Sequence, residues 1–120
     1  GGKSLTCTAT LDDEAGLGMS ASSTISAKIK DDKILSADYD MTLNYEPDSL
    51  IGASIQMDEE TFRESMRESY PGAAIEITDS QVKISGTAKT DDELDGLDMS
   101  KNMSEDEFRT FCESSGGTVK

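Results

Sequence analysis

Apolar and polar residues alternate along the first 45 positions in three long runs. The runs cover residues 5–11, 19–29 and 35–45, and in each one the apolar residues fall mainly on odd numbers. Threonine, serine, aspartate and lysine occupy most of the even numbers between them. A period of two with one polar side is typical of an antiparallel sheet that buries one face and exposes the other. We therefore predict three β-strands here.

The second and third runs are separated by a short polar interruption. Asp31 and Asp32 are flanked by Lys30 and Lys33, which is the composition of a tight hairpin turn. One buried face should then contain these odd-numbered residues: Ile25, Ala27, Ile29, Leu35, Ala37, Tyr39, Met41 and Leu43. A slip of one residue would expose this whole set, so the pattern predicts the register as well as the strands.

The second half of the chain contains a further hairpin and two helix signals. Alternating apolar residues in 75–77 and 82–88 lie on either side of Asp79-Ser80 and predict two more strands. Residues 58–70 open with an acidic turn, which suits the helix dipole, and then repeat large apolar residues every four positions. Ser104 and Glu107 form a capping box that begins a second helix, and glycines at 116–117 end it.

This order of elements predicts an α+β fold. We expect one antiparallel sheet of about five to six strands with two helices on one face, in the order βββαββα, and a short terminal strand at Thr118-Val119. Residues 1–120 should form a single globular domain, in which residues 1–3 are flexible or the remnant of a tag or linker. Residues 47–57 fit neither a helix nor a strand clearly.

Charge and composition exclude several classes of function. The chain has a formal net charge of -14 and no histidine. The negative charge excludes a protein that follows nucleic-acid phosphates, and it disfavours adsorption to anionic lipid. The lack of histidine excludes catalysis, metal binding and pH switching that depend on a histidine side chain. No run of 18 apolar residues is present. We expect no enzymatic activity and a monomer.

The two cysteines lie on apolar faces of predicted elements. Cys7 is in the first strand and Cys112 is in the last helix, so the two sulfur atoms point into one layer if that helix covers that strand. A disulfide between them would close a loop of about 100 residues. The alternative is two separate buried thiols, since free cysteine packs well in cores. A catalytic cysteine is not expected because no histidine is present to activate it.

The strongest candidate for metal binding is an acidic string at residues 91–98. Acidic residues alternate before a glycine, as in the first half of an EF-hand loop, and the candidate ligands are Asp91, Glu93, Asp95 and Asp98. Position twelve of this loop is Asn102, where a bidentate glutamate is required. We therefore expect a solvated acidic loop, with weak calcium binding as the alternative and no other cofactor.

The polar face of the sheet is the candidate surface for a ligand. It carries hydroxyls and carboxylates at Ser20, Ser22, Thr24, Ser26, Ser36, Asp38 and Asp40. These groups suit a polar or cationic ligand, but the same composition also serves solubility. Our first hypothesis is a non-enzymatic domain that contacts an extracellular ligand or envelope partner, and the calcium-binding module is the alternative. The residues that would contact such a ligand are not predicted.

The whole pattern resembles the small YehR-like lipoproteins of bacteria, a family of unknown function. The resemblance lies in a cysteine-containing first strand at residues 4–8, a hairpin with a lysine-rich turn, an acidic helix and a Val-Lys-Ile hairpin at residues 82–84. A short helix and a glycine-containing tail follow. In these relatives the second cysteine lies in the final strand, whereas Cys112 is on the predicted helix. The resemblance implies an extracytoplasmic protein held at the cell membrane by a lipidated cysteine upstream of Gly1, and it implies no catalytic residues.

Overall fold

The computed structural model describes residues 2–120 and contains a six-stranded antiparallel sheet and four helices. The strands are β1 (Lys3–Leu11), β2 (Met19–Lys30), β3 (Lys33–Tyr45), β4 (Ala74–Ile77), β5 (Gln81–Ala88) and β6 (Thr118–Val119). The helices are α1 (Leu50–Met57), α2 (Glu59–Ser69), α3 (Asp91–Asp95) and α4 (Glu105–Ser114). The strands lie side by side in the order β4-β5-β3-β2-β1-β6. The predicted α+β class and the antiparallel sheet are confirmed.

The turn between β2 and β3 has the geometry that its sequence predicts. Lys30 pairs with Lys33, and the two residues between them, Asp31 and Asp32, have φ values of 53° and 57°. A two-residue hairpin turn that matches the twist of a sheet needs positive φ at both central positions. Aspartate adopts this conformation more readily than most residues because its short polar side chain can bond locally. The predicted hairpin is therefore confirmed.

The prediction for Leu35 is wrong, because a β-bulge changes the alternation in β3. Lys28 pairs with Ser36, but the next residue of β2, Ile29, pairs with Ile34. Leu35 is thus an extra residue without a partner, and a bulge of this kind shifts the alternation by one position. Ile34 is 1% exposed and Leu35 is 52% exposed. Ile34 takes the core position that the simple period of two gives to Leu35.

The other predicted residues of the buried face lie where the pattern places them. Five of them are buried, namely Ile25, Ala27, Ile29, Ala37 and Tyr39. Met41 and Leu43 are partly buried and pack against the same core. Ile55, Leu94, Phe108 and Cys112 belong to this core too, so the helices cover the apolar face of the sheet. The molecule measures 48 × 28 × 16 Å, which leaves room for this one helical layer.

Two helices occur in addition to the predicted two. The ambiguous residues 47–57 contain α1, whose Gly52 is buried. A Cβ atom at position 52 would lie 2.4 Å from the carbonyl oxygen of Glu46, so glycine is required by a close backbone approach. This glycine argues against a helix in the sequence, but it allows one in the structure. The second additional helix is α3, which occupies part of the expected acidic loop.

The predicted helices and the second hairpin are confirmed. Phe62 and Met66 of α2 pack against the core, and so does Tyr70, the C-cap residue that follows this helix. Ser104 caps α4 in a capping box with Glu107. In the second hairpin Ile75 pairs with Ile84 and Ile77 pairs with Val82. The short terminal strand β6 pairs with β1.

Lys3, near the start of the chain, is the first residue of β1. Lys3 pairs with Ile29 and forms an ion pair with Glu105, so it belongs to the sheet instead of a flexible segment. Gly1, which the same prediction includes, lies outside the described residues. Within residues 2–120 no helix has the length and apolar character needed to cross a lipid bilayer.

Candidate functional site

The predicted disulfide is present between Cys7 and Cys112. Their Cα atoms are 5.8 Å apart, and they are 105 residues apart in the sequence. Cys7 lies on the core face of β1 and Cys112 lies on the inner face of α4, and both are buried. The alternative of two separate thiols is therefore excluded. The bond joins the first strand to the last helix.

The end of the chain packs around this bond. Thr6 and Lys120 exchange two backbone hydrogen bonds, of 3.0 and 2.9 Å, which hold β6 against β1. The N–H of Gly117 donates to the carbonyl oxygen of Cys112 at 2.9 Å. The first and last segments of the described chain are thus joined by backbone pairing as well as by the disulfide. This cluster is structural, since both sulfur atoms are used in the bond.

The structure does not bring the four candidate calcium ligands together. Asp91, Glu93 and Asp95 lie in helix α3, where alternate residues point in different directions instead of toward one point. Asp98 follows the helix with a φ of 60°, at the point where the chain reverses. Residues 2–120 contain no group of three or more acidic or cysteine side chains arranged to hold a metal ion. The prediction of a solvated loop is wrong for residues 91–95, because these residues form a helix. The geometry of an EF-hand loop is not formed.

Glu93 has a specific structural role that explains the helix. Its carboxylate accepts hydrogen bonds of 3.0 Å from the backbone N–H groups of Lys89 and Thr90. The Thr90 hydroxyl accepts a bond of 3.2 Å from the N–H of Glu93, which completes a capping box. The bonds from Lys89 and then Thr90 hold the pKa of Glu93 below its usual value. The sequence signal for this helix is the pattern Thr-x-x-Glu at residues 90–93, which is a capping box. The calcium hypothesis did not take this pattern into account.

A second carboxylate with a lowered pKa also holds elements together. Glu105, at the start of α4, forms ion pairs with Lys3 of β1 and with Arg109 one turn later. Hydrogen bonds from Lys3 and then from Arg109 lower the pKa of Glu105. The N–H of Glu105 donates to the carboxylate of Asp32 at 3.0 Å. These contacts fix the start of α4 near the β2–β3 turn, so the charged groups of this cluster stabilise the fold.

The open face of the sheet contains the candidate polar residues as predicted. Ser22, Thr24, Asp38 and Asp40 are exposed, while the remaining three, Ser20, Ser26 and Ser36, are half-buried. Strand pairing aligns the polar residues in rows across the sheet, and one row runs Thr6, Ser26, Asp38, Thr87. Two bonds in that row are Thr6 Oγ1 to Ser26 Oγ, 2.9 Å, and Thr87 Oγ1 to Asp38 Oδ1, 2.6 Å. The face is an ordered array of hydroxyls with few carboxylates.

The charge of this face differs from that of the whole molecule. Strand alternation and pairing give it the carboxylates Asp38, Asp40 and Glu76 and the ammonium groups Lys28, Lys30, Lys33 and Lys83. The positive charges on this face outnumber the negative ones by one, although the chain as a whole has a net charge of -14. Most of the acidic residues therefore lie in the turns and the helical layer. This small excess of positive charge disfavours a cationic ligand on the sheet face and favours a neutral polar one.

The same face ends in a groove of about 460 Å³. Ser20 and Asn44, which are partners across β2 and β3, lie on one side of it. Ser80 and the carboxylate residues Asp13 and Glu46 contribute further polar atoms. The carboxylate of Asp13 accepts bonds from the N–H groups of residues 17 and 18, at 2.7 and 3.0 Å, which fixes its position. Sequence analysis identified Ser20 but missed the groove, because residues 13, 44, 46 and 80 meet only in the folded chain.

Comparison with known proteins supports the fold. No protein-family model and no curated protein matches the sequence. A solved structure described as "NMR structure of the protein from Streptococcus pneumoniae TIGR4" is similar, with a TM-score of 0.50 and 13% sequence identity. The similarity covers 100% of this chain and 86% of the other. At this identity the likeness concerns the fold alone.

Proposed function

We propose that this chain is the folded domain of an extracytoplasmic, lipid-anchored protein that binds a neutral, hydroxyl-rich ligand without catalysing a reaction. The observation that carries the proposal is the continuity of the ordered hydroxyl face with the polar groove at its end. The chemistry of the ligand is that of a carbohydrate. The bound sugar would lie in the groove at Ser20 and Asn44 and extend over the adjoining sheet.

The location is supported by the disulfide. Bonds between cysteines persist in oxidising compartments outside the cytoplasm and are rare in the reducing cytosol. The lipid anchor is the part of the proposal that comes from the resemblance to YehR-like lipoproteins. Metabolic labelling of the natural protein with a fatty-acid analogue tests it, and incorporation into a cysteine upstream of Gly1 is the expected result. Absence of label would remove the anchor from the proposal and leave the binding site intact.

The ligand chemistry follows from the groups on the face. A hydroxyl group both donates and accepts hydrogen bonds, and the amide of Asn44 does the same, so together they complement sugar hydroxyls. Residues that share a face are about 6.8 Å apart along a strand and about 4.8 Å apart between strands. Such a regular flat array suits an extended polymer better than a small compact molecule. The carboxylates of Asp13 and Glu46 add strong acceptors at one end.

NMR titration of labelled protein with the tetramer of N-acetylglucosamine tests this site. We expect amide shifts confined to the groove and the neighbouring open face, with a dissociation constant in the millimolar to micromolar range. The double variant Ser20→Ala/Asn44→Ala should weaken binding about tenfold, which corresponds to about 1.4 kcal/mol. Ser65→Ala, at an exposed position on α2, is the matched control and should bind as the original protein does.

The proposal fails if the sugar shifts no residue of the groove at millimolar concentration. It also fails if the double variant, with an unchanged circular dichroism spectrum, binds as tightly as the original protein. Cellotetraose, which lacks the acetamido groups, shows whether hydroxyls alone are sufficient. We expect both tetramers to bind equally, because the proposed site recognises the hydroxyl groups of the sugar.

A further inference from the structure

Helix α1 has an outward face that the fold does not explain. Leu50 and Met57 are seven residues apart, so they lie on the same side of the helix, and each is 87% exposed. Ser54 lies between them on this side and is also exposed. The helix contains no charged residue, whereas the outward face of a surface helix is normally charged. Large exposed apolar side chains that form a patch mark a surface for interaction.

The patch continues onto the turn between β1 and β2. Leu17, which is 62% exposed, lines a shallow groove of about 310 Å³ together with Met19, Leu50, Ile51 and Ser54. We define the apolar patch as the following residues: Leu17, Met19, Leu50, Ile51 and Met57. Its two halves are held together by a 2.8 Å bond from the N–H of Glu46 to the carbonyl oxygen of Gly18. The surface is therefore formed before any partner arrives.

The surroundings of the apolar patch are strongly acidic. The residues of the apolar patch belong to two segments of the chain. Residues 12–19 contain three carboxylates, and residues 46–60 contain five. Neither segment contains a basic residue. The next base along the chain, Arg63, bonds to the carbonyl oxygen of Ile75 at 2.9 Å and pairs with Glu59. Glu60 likewise pairs with Arg67 of α2. The other six carboxylates of these two segments have no ion-pair partner among residues 2–120, and they form the acidic border of the apolar patch.

We propose that the apolar patch binds a cationic amphipathic helix of another protein or peptide. The apolar side of such a helix would cover Leu50 and Met57, and its lysines and arginines would face the acidic border. This is the helix-in-groove mode of recognition, and the opposite charges would accelerate encounter and select the partner. A second copy of this chain would place like charges opposite each other in a symmetric dimer. An anionic membrane surface would repel the border in the same way.

Binding of a synthetic 18-residue helical peptide of leucine and lysine tests the proposal. We expect calorimetry to show binding at physiological salt, with affinity that falls as salt is raised. The double variant Leu50→Gln/Met57→Gln should lose at least about tenfold in affinity. Leu35→Gln, at the exposed leucine of the β-bulge, is the matched control and should have no effect. Asp48→Asn together with Glu14→Gln should weaken binding and flatten the salt dependence, while Glu113→Gln on α4 should not.

Peptide specificity and site mapping complete the test. A peptide with glutamate in place of lysine and one with serine in place of leucine should not bind. Amide shifts should fall on residues 12–19 and 46–60. Unchanged binding by Leu50→Gln/Met57→Gln, shifts confined to other acidic regions, self-association that these substitutions abolish, or binding to zwitterionic vesicles would each overturn the proposal. The same double variant should still bind the sugar tetramer, so failure here is distinguishable from failure of the proposed carbohydrate site.

Discussion

At the scale of single residues, Gly117 lies directly against the disulfide. A Cβ atom at this position would lie 2.8 Å from the Sγ atom of Cys7 and 2.8 Å from that of Cys112. The neighbouring Gly116 is different, since a Cβ atom there would meet open space but its φ is 81°. The two adjacent glycines are therefore required for different reasons, one by a close approach and the other by its backbone conformation.

We predict that Gly117→Ala destabilises the protein mainly through the disulfide. The added methyl group must displace two bonded sulfur atoms, and overpacking of this kind costs about 1–3 kcal/mol. In the Cys7→Ala/Cys112→Ala background the cost should largely disappear, because the sulfur atoms are gone. Urea unfolding of the four proteins in this cycle measures the coupling. Gly116→Ala should cost about 1 kcal/mol in both backgrounds, because it strains only the backbone.

Equal costs for Gly117→Ala with and without the cysteines would contradict this assignment. The disulfide would then tolerate the methyl group, and the loss would come from the backbone or from the pairing of β6. The comparison with Gly116 separates these explanations, since both glycines lie in the short connection between α4 and β6.

Glu93 gives a prediction with a definite dependence on pH. Its pKa is lower in the folded protein than in the unfolded chain, because its carboxylate caps α3. Between the two pKa values the folded state therefore binds fewer protons than the unfolded state, and stability rises with pH. Stability from this group is present above the unfolded pKa, about 4.3, and is lost as the pH falls through the folded pKa.

The variant Glu93→Gln should be less stable than the original protein at pH 7. The difference should shrink as the pH falls below about 4 and vanish once the carboxyl group is protonated in both states. Thermal unfolding between pH 7 and 3 measures it. The control is Glu113→Gln in the last turn of α4, where a negative charge opposes the helix dipole, so this substitution should not destabilise at pH 7. A pH-independent difference for Glu93→Gln would contradict the capping role.

At the scale of elements, β3 is the strand whose register depends on one extra residue. The bulge at Leu35 lets Ile34 face the core while the alternation from Ala37 onward is kept. Bulges increase local twist, and this one lies next to the tight turn at Asp31-Asp32. The long β2–β3 hairpin thus combines two irregular features at the same end.

Alanine substitutions at positions 34 and 35 test the register directly. Ile34→Ala should cost about 2–5 kcal/mol, because it removes buried methyl groups and leaves a cavity. Leu35→Ala should change stability by no more than about 0.5 kcal/mol, because its side chain is exposed. Urea unfolding curves give both values. The opposite ranking would mean that the plain period of two holds and that the bulge is absent.

At the scale of the whole molecule, the disulfide joins segments that are far apart in the sequence. The separation of 105 residues gives a large restriction of the unfolded chain, about 4.7 kcal/mol in the loop-entropy treatment. The sheet and the helical layer bury a core that includes sixteen residues besides the two cysteines. The bond therefore adds to stability without being the source of the fold.

We predict that Cys7→Ala/Cys112→Ala keeps the fold and loses up to about 4.7 kcal/mol in the free energy of unfolding. The amide NMR spectrum should show the same pattern of secondary structure, and urea unfolding should have a lower midpoint. Reduction of the original protein should shift the midpoint in the same direction. An unchanged midpoint, or loss of all NMR dispersion, would contradict the additive role of the bond.

The sequence by itself determined the features that depend on local physics. The alternation of apolar and polar residues along the chain predicts β2 and the two hairpins, because successive side chains of a strand point to opposite faces. The capping box at Ser104 predicts the start of α4, because both partners lie within one helical turn. The pairing of Cys7 with Cys112 was anticipated from the faces they share, and the structure established it.

Tertiary structure decided what depends on contacts between distant segments. The alternation alone gives no sign that Leu35 is an extra residue, because a bulge is defined by the pairing of β3 with β2. In the sequence Gly52 indicates a break in a helix. The structure shows that the carbonyl oxygen of Glu46 lies against this glycine and requires it. The groove at Ser20 and the apolar patch on α1 likewise bring together segments that are far apart in the sequence. Local propensity is a property of neighbours in the chain, but a binding surface is a property of neighbours in space.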